Sequence, residues 1–331
     1  MNDIPKIKIT MLAPSNVGKT CYMLGMYARM QMGIEGFTLR AVDLDQEIEL
    51  TDRWSMLTLE KGEDRWPPKN VGLGENYVFE FSYGFKPMIQ FDWLDYRGGA
   101  LMATSADSDR KQLQNQIVNS QGVLLCISGE LLKKKVDDNS LQEIGTKSNV
   151  KMMNWNLTEL SKTRKTTEII FPVMILITKY DECYQRPREE LIADVKKIFS
   201  TLFDPNTKGY FIMICPVTLG KGLAEDSNNA NINPVNVELP MIFMAYTHYY
   251  GLYLEALARK QQLKGKLTNE EKKGFWDRMW NGDESDWFKG QIDINEEERK
   301  EYLSKIRLLA NKLQEVDLFL NGEEVTIDEM G

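Results

Sequence analysis

The stretch Ala13-Pro14-Ser15-Asn16-Val17-Gly18-Lys19-Thr20 follows an apolar run, Ile7 to Ala13, and precedes a helical pattern from Cys21 to Met32. Strand, tight loop and helix in that order build an anion cradle, because successive backbone N–H groups and the positive end of the helix converge on one point. Gly18 lets the backbone come close to a phosphate, Lys19 neutralises its outer oxygens, and the Thr20 hydroxyl suits a magnesium ion. The match to GxxxxGK[ST] departs once, at Ala13, the smallest substitute for the first glycine and one that is tolerated where φ is negative. Ser15, Asn16, Val17, Gly18, Lys19, Thr20 and Cys21 are therefore the expected phosphate-binding residues.

Working outward, five more apolar runs follow: Tyr77 to Tyr83, Met88 to Asp95, Gly122 to Ser128, Ile169 to Thr178 and Tyr210 to Thr218. They alternate with helical patterns, the clearest at Arg188 to Leu202, and this alternation predicts an α/β sheet. VLLCIS, VMILIT and FIMICPV are continuously apolar, as parallel strands covered on both faces are, whereas YVFEFSY is mixed, as an edge strand is.

The ends of these runs carry chemistry. Asp92-Trp93-Leu94-Asp95-Tyr96-Arg97-Gly98-Gly99 places Asp95 at a strand end, where a carboxylate can hold magnesium through water, and Gly98 three positions on, where its N–H can meet a terminal phosphate. Thr178-Lys179-Tyr180-Asp181 ends the fifth run. The Asp181 carboxylate can accept from both N1–H and the exocyclic amine of guanine, a donor pair adenine lacks, while the Lys179 stem lies along the base. After the sixth run, the backbone amides at Val217 and Thr218 can meet the guanine O6.

APSNVGKT, DYRG, TKYD and PVTLG, in that order and each at the end of a strand, resemble the motifs of the Ras-like P-loop GTPases of the translation-factor-related class. The resemblance covers residues 5–260, and Asn233 to Pro240 (NPVNVELP) is similar to the bacterial double-GTPase-like domains of that class. It implies a three-layer α/β fold with a six-stranded, mostly parallel sheet carrying one antiparallel edge. It also implies GTP or GDP with Mg2+ at the carboxyl edge, two switch segments, and a cytoplasmic molecular switch with a protein partner. Lys19, Arg97 and Gly98 then become the catalytic candidates, and Thr20 and Asp95 the metal ligands. Relatives commonly place a water-orienting glutamine after the glycine of DxxG; here that residue is Gly99, so unassisted hydrolysis is expected to be slow. A nucleotide-binding scaffold that hydrolyses nothing is the alternative. The switch threonine is unassigned, with Thr51, Thr58 and Asn70 considered.

Composition narrows the classes. The 331 residues are 42% hydrophobic and 27% charged, ordinary for a folded chain, and a net charge of −8 argues against direct nucleic-acid binding, which needs a basic surface. No segment is expected to span a membrane; the charge-free run Leu239 to Leu254 is short and interrupted. Cys21, Cys126, Cys183 and Cys215 form no CxxC pair. His248, Lys133-Lys134-Lys135 and the tryptophans Trp276, Trp280 and Trp287 are expected to serve packing or a solvated face.

Residues 281–331 hold 14 acidic and 6 basic side chains, whereas the first 280 residues carry 35 of each. This shift suggests a division into 1–262 and an acidic helical extension, 263–331. There Asn295 is expected to cap a helix with Glu298, and Tyr302, Ile306, Leu309, Leu313, Val316 and Leu320 to form its seam, closed by Asn321 and Gly322.

Overall fold

The computed structural model describes residues 4–67, 75–95, 107–164, 170–223, 226, 228–271 and 285–327. The chain divides into two compact units, one of residues 1–241 and 316–325, the other of residues 242–315 and 326–331.

The first unit is built on one mixed sheet. Its strands are β1 (Lys6–Leu12), β2 (Phe37–Ala41), β3 (Glu75–Tyr83), β4 (Lys86–Asp95), β5 (Gly122–Ser128), β6 (Phe171–Thr178), β7 (Tyr210–Pro216), β8 (Asp317–Leu320) and β9 (Glu323–Val325). The spatial order is β2-β3-β4-β1-β5-β6-β7-β8-β9. All six expected strands are present, but the sheet has nine strands and not six. Strands β4, β1, β5, β6 and β7 are parallel, and the antiparallel additions lie at both margins rather than one.

The continuously apolar strands β5 and β6 are buried at every residue, as parallel central strands must be. Helices follow in sequence: α1 (Lys19–Gln31), α2 (Leu44–Leu59), α3 (Asp107–Val118), α4 (Asp138–Lys147), α5 (Val150–Thr163) and α6 (Arg188–Ile198). Ile144 of α4, Met153 and Leu157 of α5, and Leu191 and Val195 of α6 form one buried cluster with Leu125, Ile127, Val173, Ile175 and Ile212 of the strands. An aromatic set, Tyr22–Trp93, Tyr27–Phe79 and Phe79–Trp93, joins α1 to β3 and β4. The outer edge of β2 is blunted. Phe37 exchanges both backbone bonds with Ile34, and the Ala41 N–H is taken by the Glu47 carboxylate at 2.7 Å, which leaves little for another strand to pair with.

The acidic tail departs from its expected course. A single helix, α8 (Ser285–Ala310), runs straight through Asn295, which is buried in the helix interior and is not a cap. The apolar seam stops being helical at Ala310. Asp317 to Leu320 become strand, and Leu318 and Phe319 are buried beside β7. Asn321 and Gly322 turn the chain with φ of 55° and 86°, and a Cβ on Gly322 would lie 2.6 Å from the Phe203 carbonyl oxygen. An Asn-Gly pair with both φ positive is the two-residue hairpin turn that right-twisted strands favour.

In the second unit, α7 (Leu239–Glu271, its first residues still in the first unit) and α8 are joined by Arg259–Glu298 and Lys260–Glu296 ion pairs and by the Arg299 guanidinium over the Tyr253 ring. No helix among the described residues is long and apolar enough to cross a membrane. Trp276 and Trp280 lie outside the described residues; Trp287 lies in α8.

Candidate functional site

Because β1, β4, β6 and β7 are parallel, their carboxyl ends fall along one edge of the sheet, and the loops that follow them meet there. The loop after β1 has the shape of an anion cradle. Asn16 (φ 64°) and Gly18 (φ 89°) are left-handed, Val17 is buried between them, and Gly18 is the N-cap of α1. A Cβ on Gly18 would meet nothing within 4 Å, so the φ and not crowding calls for glycine here. No side chain caps the first turn of α1 and no acidic residue stands in it, so nothing in that turn offsets the positive end of the helix dipole. Ala13 stays out of the positive-φ region, which is why it can replace glycine. Lys19 is buried and Thr20 half-buried at the helix start. Burial raises the pKa of the half-buried Cys21 thiol to about 11, so at neutral pH this residue offers a backbone amide and no thiolate.

The loop after β6 is tied to this cradle. Thr178 Oγ1 donates to the Val17 carbonyl oxygen at 2.7 Å, with the Ile127 carbonyl also in reach at 3.2 Å. The Thr178 side chain therefore braces the loop after β1; its contribution is positional. Lys179 adopts the left-handed conformation (φ 50°) and its ammonium meets Glu130 at 2.9 Å. Burial raises the Glu130 carboxyl, but the Lys179 ammonium, the Ser128 hydroxyl and Lys133 outweigh it and hold Glu130 below the usual carboxylate range. Lys133, expected to be simply solvated, pairs with Glu182.

Asp181 is held at both oxygens. Oδ1 accepts from Thr218 Oγ1 at 2.8 Å and Oδ2 accepts from the Gly222 N–H at 3.0 Å. Each carboxylate oxygen takes about two donors, so one acceptor position per oxygen remains. The groove beside it, about 360 Å³, is lined by Lys133, Asp181, Tyr184, Arg186, Lys221 and Gly222 among others. Val217 is the joint of the two loops: its N–H bonds the Ile177 carbonyl at 2.9 Å and its carbonyl accepts from the Tyr180 N–H at 3.1 Å.

Three contacts that fix the site escape sequence reasoning. A Cβ on Gly129, just after β5, would lie 2.4 Å from the Lys179 carbonyl oxygen, so only glycine lets these two loops touch. Leu219 fills the space over Gly25 of α1, where a Cβ would come within 2.2 Å of Leu219 Cδ2. Asn236 (φ 61°) donates from Nδ2 to the Pro216 carbonyl at 3.1 Å, and Thr218 and Val235 form an antiparallel bridge, which anchors the NPVNV stretch against the β7 loop. The visible signals were a glycine directly after a buried strand and an asparagine suited to the left-handed conformation.

Asp95 ends β4 opposite Glu75, on the same sheet edge. Arg97, Gly98, Gly99 and Asn70 lie outside the described residues. Thr51 and Thr58 sit inside α2, where Thr51 Oγ1 donates to the Glu47 carbonyl and Thr58 Oγ1 to the Trp54 carbonyl. Both hydroxyls are thus used within their own helix. His248, on α7, packs edge-on against Tyr249; burial, then the Lys305 ammonium, lowers its pKa to about 4.

Neither a known family nor any curated protein matches the sequence. Among solved structures, one assigned as a nucleolar GTP-binding protein 1 from Plasmodium falciparum matches at 12% identity over 80% of this chain and 97% of its own, with a TM-score of 0.38. A likeness that distant adds nothing to the geometry above.

Proposed function

We propose that the protein binds guanine nucleotides at the carboxyl edge of its sheet and acts as a slow GTPase switch. The observation that carries this is the Thr178–Val17 hydrogen bond, which joins a phosphate cradle to a loop whose Asp181 carboxylate keeps one acceptor position on each oxygen. Guanine presents two adjacent donors, N1–H and the exocyclic amine, and meets that pair of acceptors; adenine does not. Ser15 to Cys21 hold the phosphates through backbone N–H groups, Lys19 offsets their charge, and Lys179, kept in place by Glu130, lies along the base.

The cradle also fits a nucleotide-bound magnesium ion, since Thr20 lies in the first turn of α1 beside it and Asp95 ends β4 on the same edge; these two residues would hold the ion. When bound, it would neutralise charge developing on the terminal phosphates. Gly98 would present its N–H to the third phosphate. Gly99 has no side chain to align a water molecule, so turnover depends on a partner that supplies the missing group.

The test is nucleotide content of freshly purified protein followed by single-turnover hydrolysis with Mg2+. Bound GDP or GTP, with hydrolysis no faster than on the order of 10⁻³ per second, supports the reading. Binding with no turnover at all, even with cell extract added, points to the scaffold alternative that Gly99 favours. Absence of any nucleotide affinity rejects both.

A further inference from the structure

Helix α2 turns Leu50 and Leu57 inward, where both are fully buried. On its opposite side Leu44, Ile48, Met56 and Leu59 are 70%, 53%, 41% and 76% exposed. A single exposed leucine is ordinary on a protein surface. Four large apolar side chains on a 16-residue helix are not scattered here, because at 3.6 residues per turn they fall within an arc of about 120°. Leu44, Ile48 and Leu59 form the ridge, with Ser55 between them. Alongside runs an acidic row, Asp45, Asp52, Glu49 and Glu60; Arg53, on the same helix, is paired with Glu49.

We propose that this face of α2 is the docking surface for an amphipathic basic helix of a partner protein, with apolar residues on the ridge and lysine or arginine against the acidic row. A helix pairing with a helix through residues spaced three and four apart is a standard recognition mode, and charge complementarity selects its occupant. A second copy of this chain is a poor occupant, because its own α2 presents an acidic row and not the row of lysines or arginines that would complement this one. An anionic membrane surface is repelled for the same reason. The proposal stands apart from the nucleotide reading and needs no nucleotide for its test.

The experiment measures fluorescence anisotropy of a labelled Leu/Lys helical peptide of about 18 residues, five turns, against the full-length protein, with a Leu/Glu peptide of the same pattern as control. Saturable binding of the Leu/Lys peptide is expected, with at least a tenfold loss in the triple variant Leu44→Ser, Ile48→Ser, Leu59→Ser, which leaves every charge in place. Asp45→Asn with Asp52→Asn should also weaken binding, and the Leu/Glu peptide should not bind. Equal binding by the triple variant would show that charge alone holds the peptide and overturns the proposal. So does equal binding of the Leu/Glu peptide, or a wild-type dimer in sedimentation that the triple variant dissolves.

Discussion

Thr218 Oγ1 donates to Asp181 Oδ1 at 2.8 Å, so a hydroxyl from the loop after β7 aims a carboxylate from the loop after β6. The proposed preference for guanine depends on that aim. Thr218→Val removes the hydroxyl and keeps the shape, and a hydrogen bond to a charged group contributes about 1.5 kcal/mol. GDP affinity should fall about tenfold while ADP affinity stays where it was, as titration calorimetry of both nucleotides would read. A variant that binds both equally worse would mean that Thr218 acts on the fold and not on the base.

Lys19→Ala should remove tight triphosphate binding and leave a cooperative melt. The lost charge-assisted contacts correspond to at least ten- to a hundredfold in affinity. An unchanged affinity for GTP would place the phosphates elsewhere.

Gly129→Ala tests the contact between the two loops. The new Cβ would lie 2.4 Å from the Lys179 carbonyl oxygen and 3.1 Å from Cys183 Sγ, and because the closer neighbour is backbone, the TKYD loop must shift. Urea denaturation should show a loss of about 1 to 3 kcal/mol, the usual cost of overpacking, together with weaker GDP binding. Gly145→Ala, inside α4 with open space around its Cβ position, is the contrast: it should stabilise by about 0.5 to 1 kcal/mol and leave GDP binding unchanged.

His248 gives a pH signature. Its folded pKa, about 4, lies below the 6.5 of an unfolded chain, so the unfolded state binds more protons between those values. Its contribution is fully present above pH 6.5 and is lost as pH falls toward 4, on the order of 1 to 2 kcal/mol by pH 5. The difference in unfolding free energy between pH 7 and pH 5 should shrink by that amount in His248→Gln.

Much of this architecture was legible because its signals are local. The three continuously apolar runs became β5, β6 and β7, and the APSNVGKT loop sits where strand meets helix. What the sequence hid was long-range. Phe37 to Ala41 is only five residues long and pairs with β3 forty residues on, so its alternation could not stand out. Asp317 to Leu320 continued a helical spacing of fours and threes, and only the Asn321-Gly322 pair marked a hairpin; the unpaired edge of β7 decided between the two. Asn295 followed by Glu298 looks like a capping box, yet the helix begins ten residues earlier. In the site, the identity of Asp181 was readable, but its clamp by Thr218 and Gly222 was not, since those donors are 37 and 41 residues away.

The central claim is that Asp181 reads guanine, and one titration series tests it: GDP, ADP and xanthosine diphosphate against the wild type and against Asp181→Asn, at fixed Mg2+ and salt. The wild type should bind GDP about ten- to a hundredfold more tightly than ADP. Asp181→Asn should reverse the order in favour of xanthosine diphosphate, because the amide now donates where the carboxylate accepted. Equal affinity of the wild type for GDP and ADP would contradict the account.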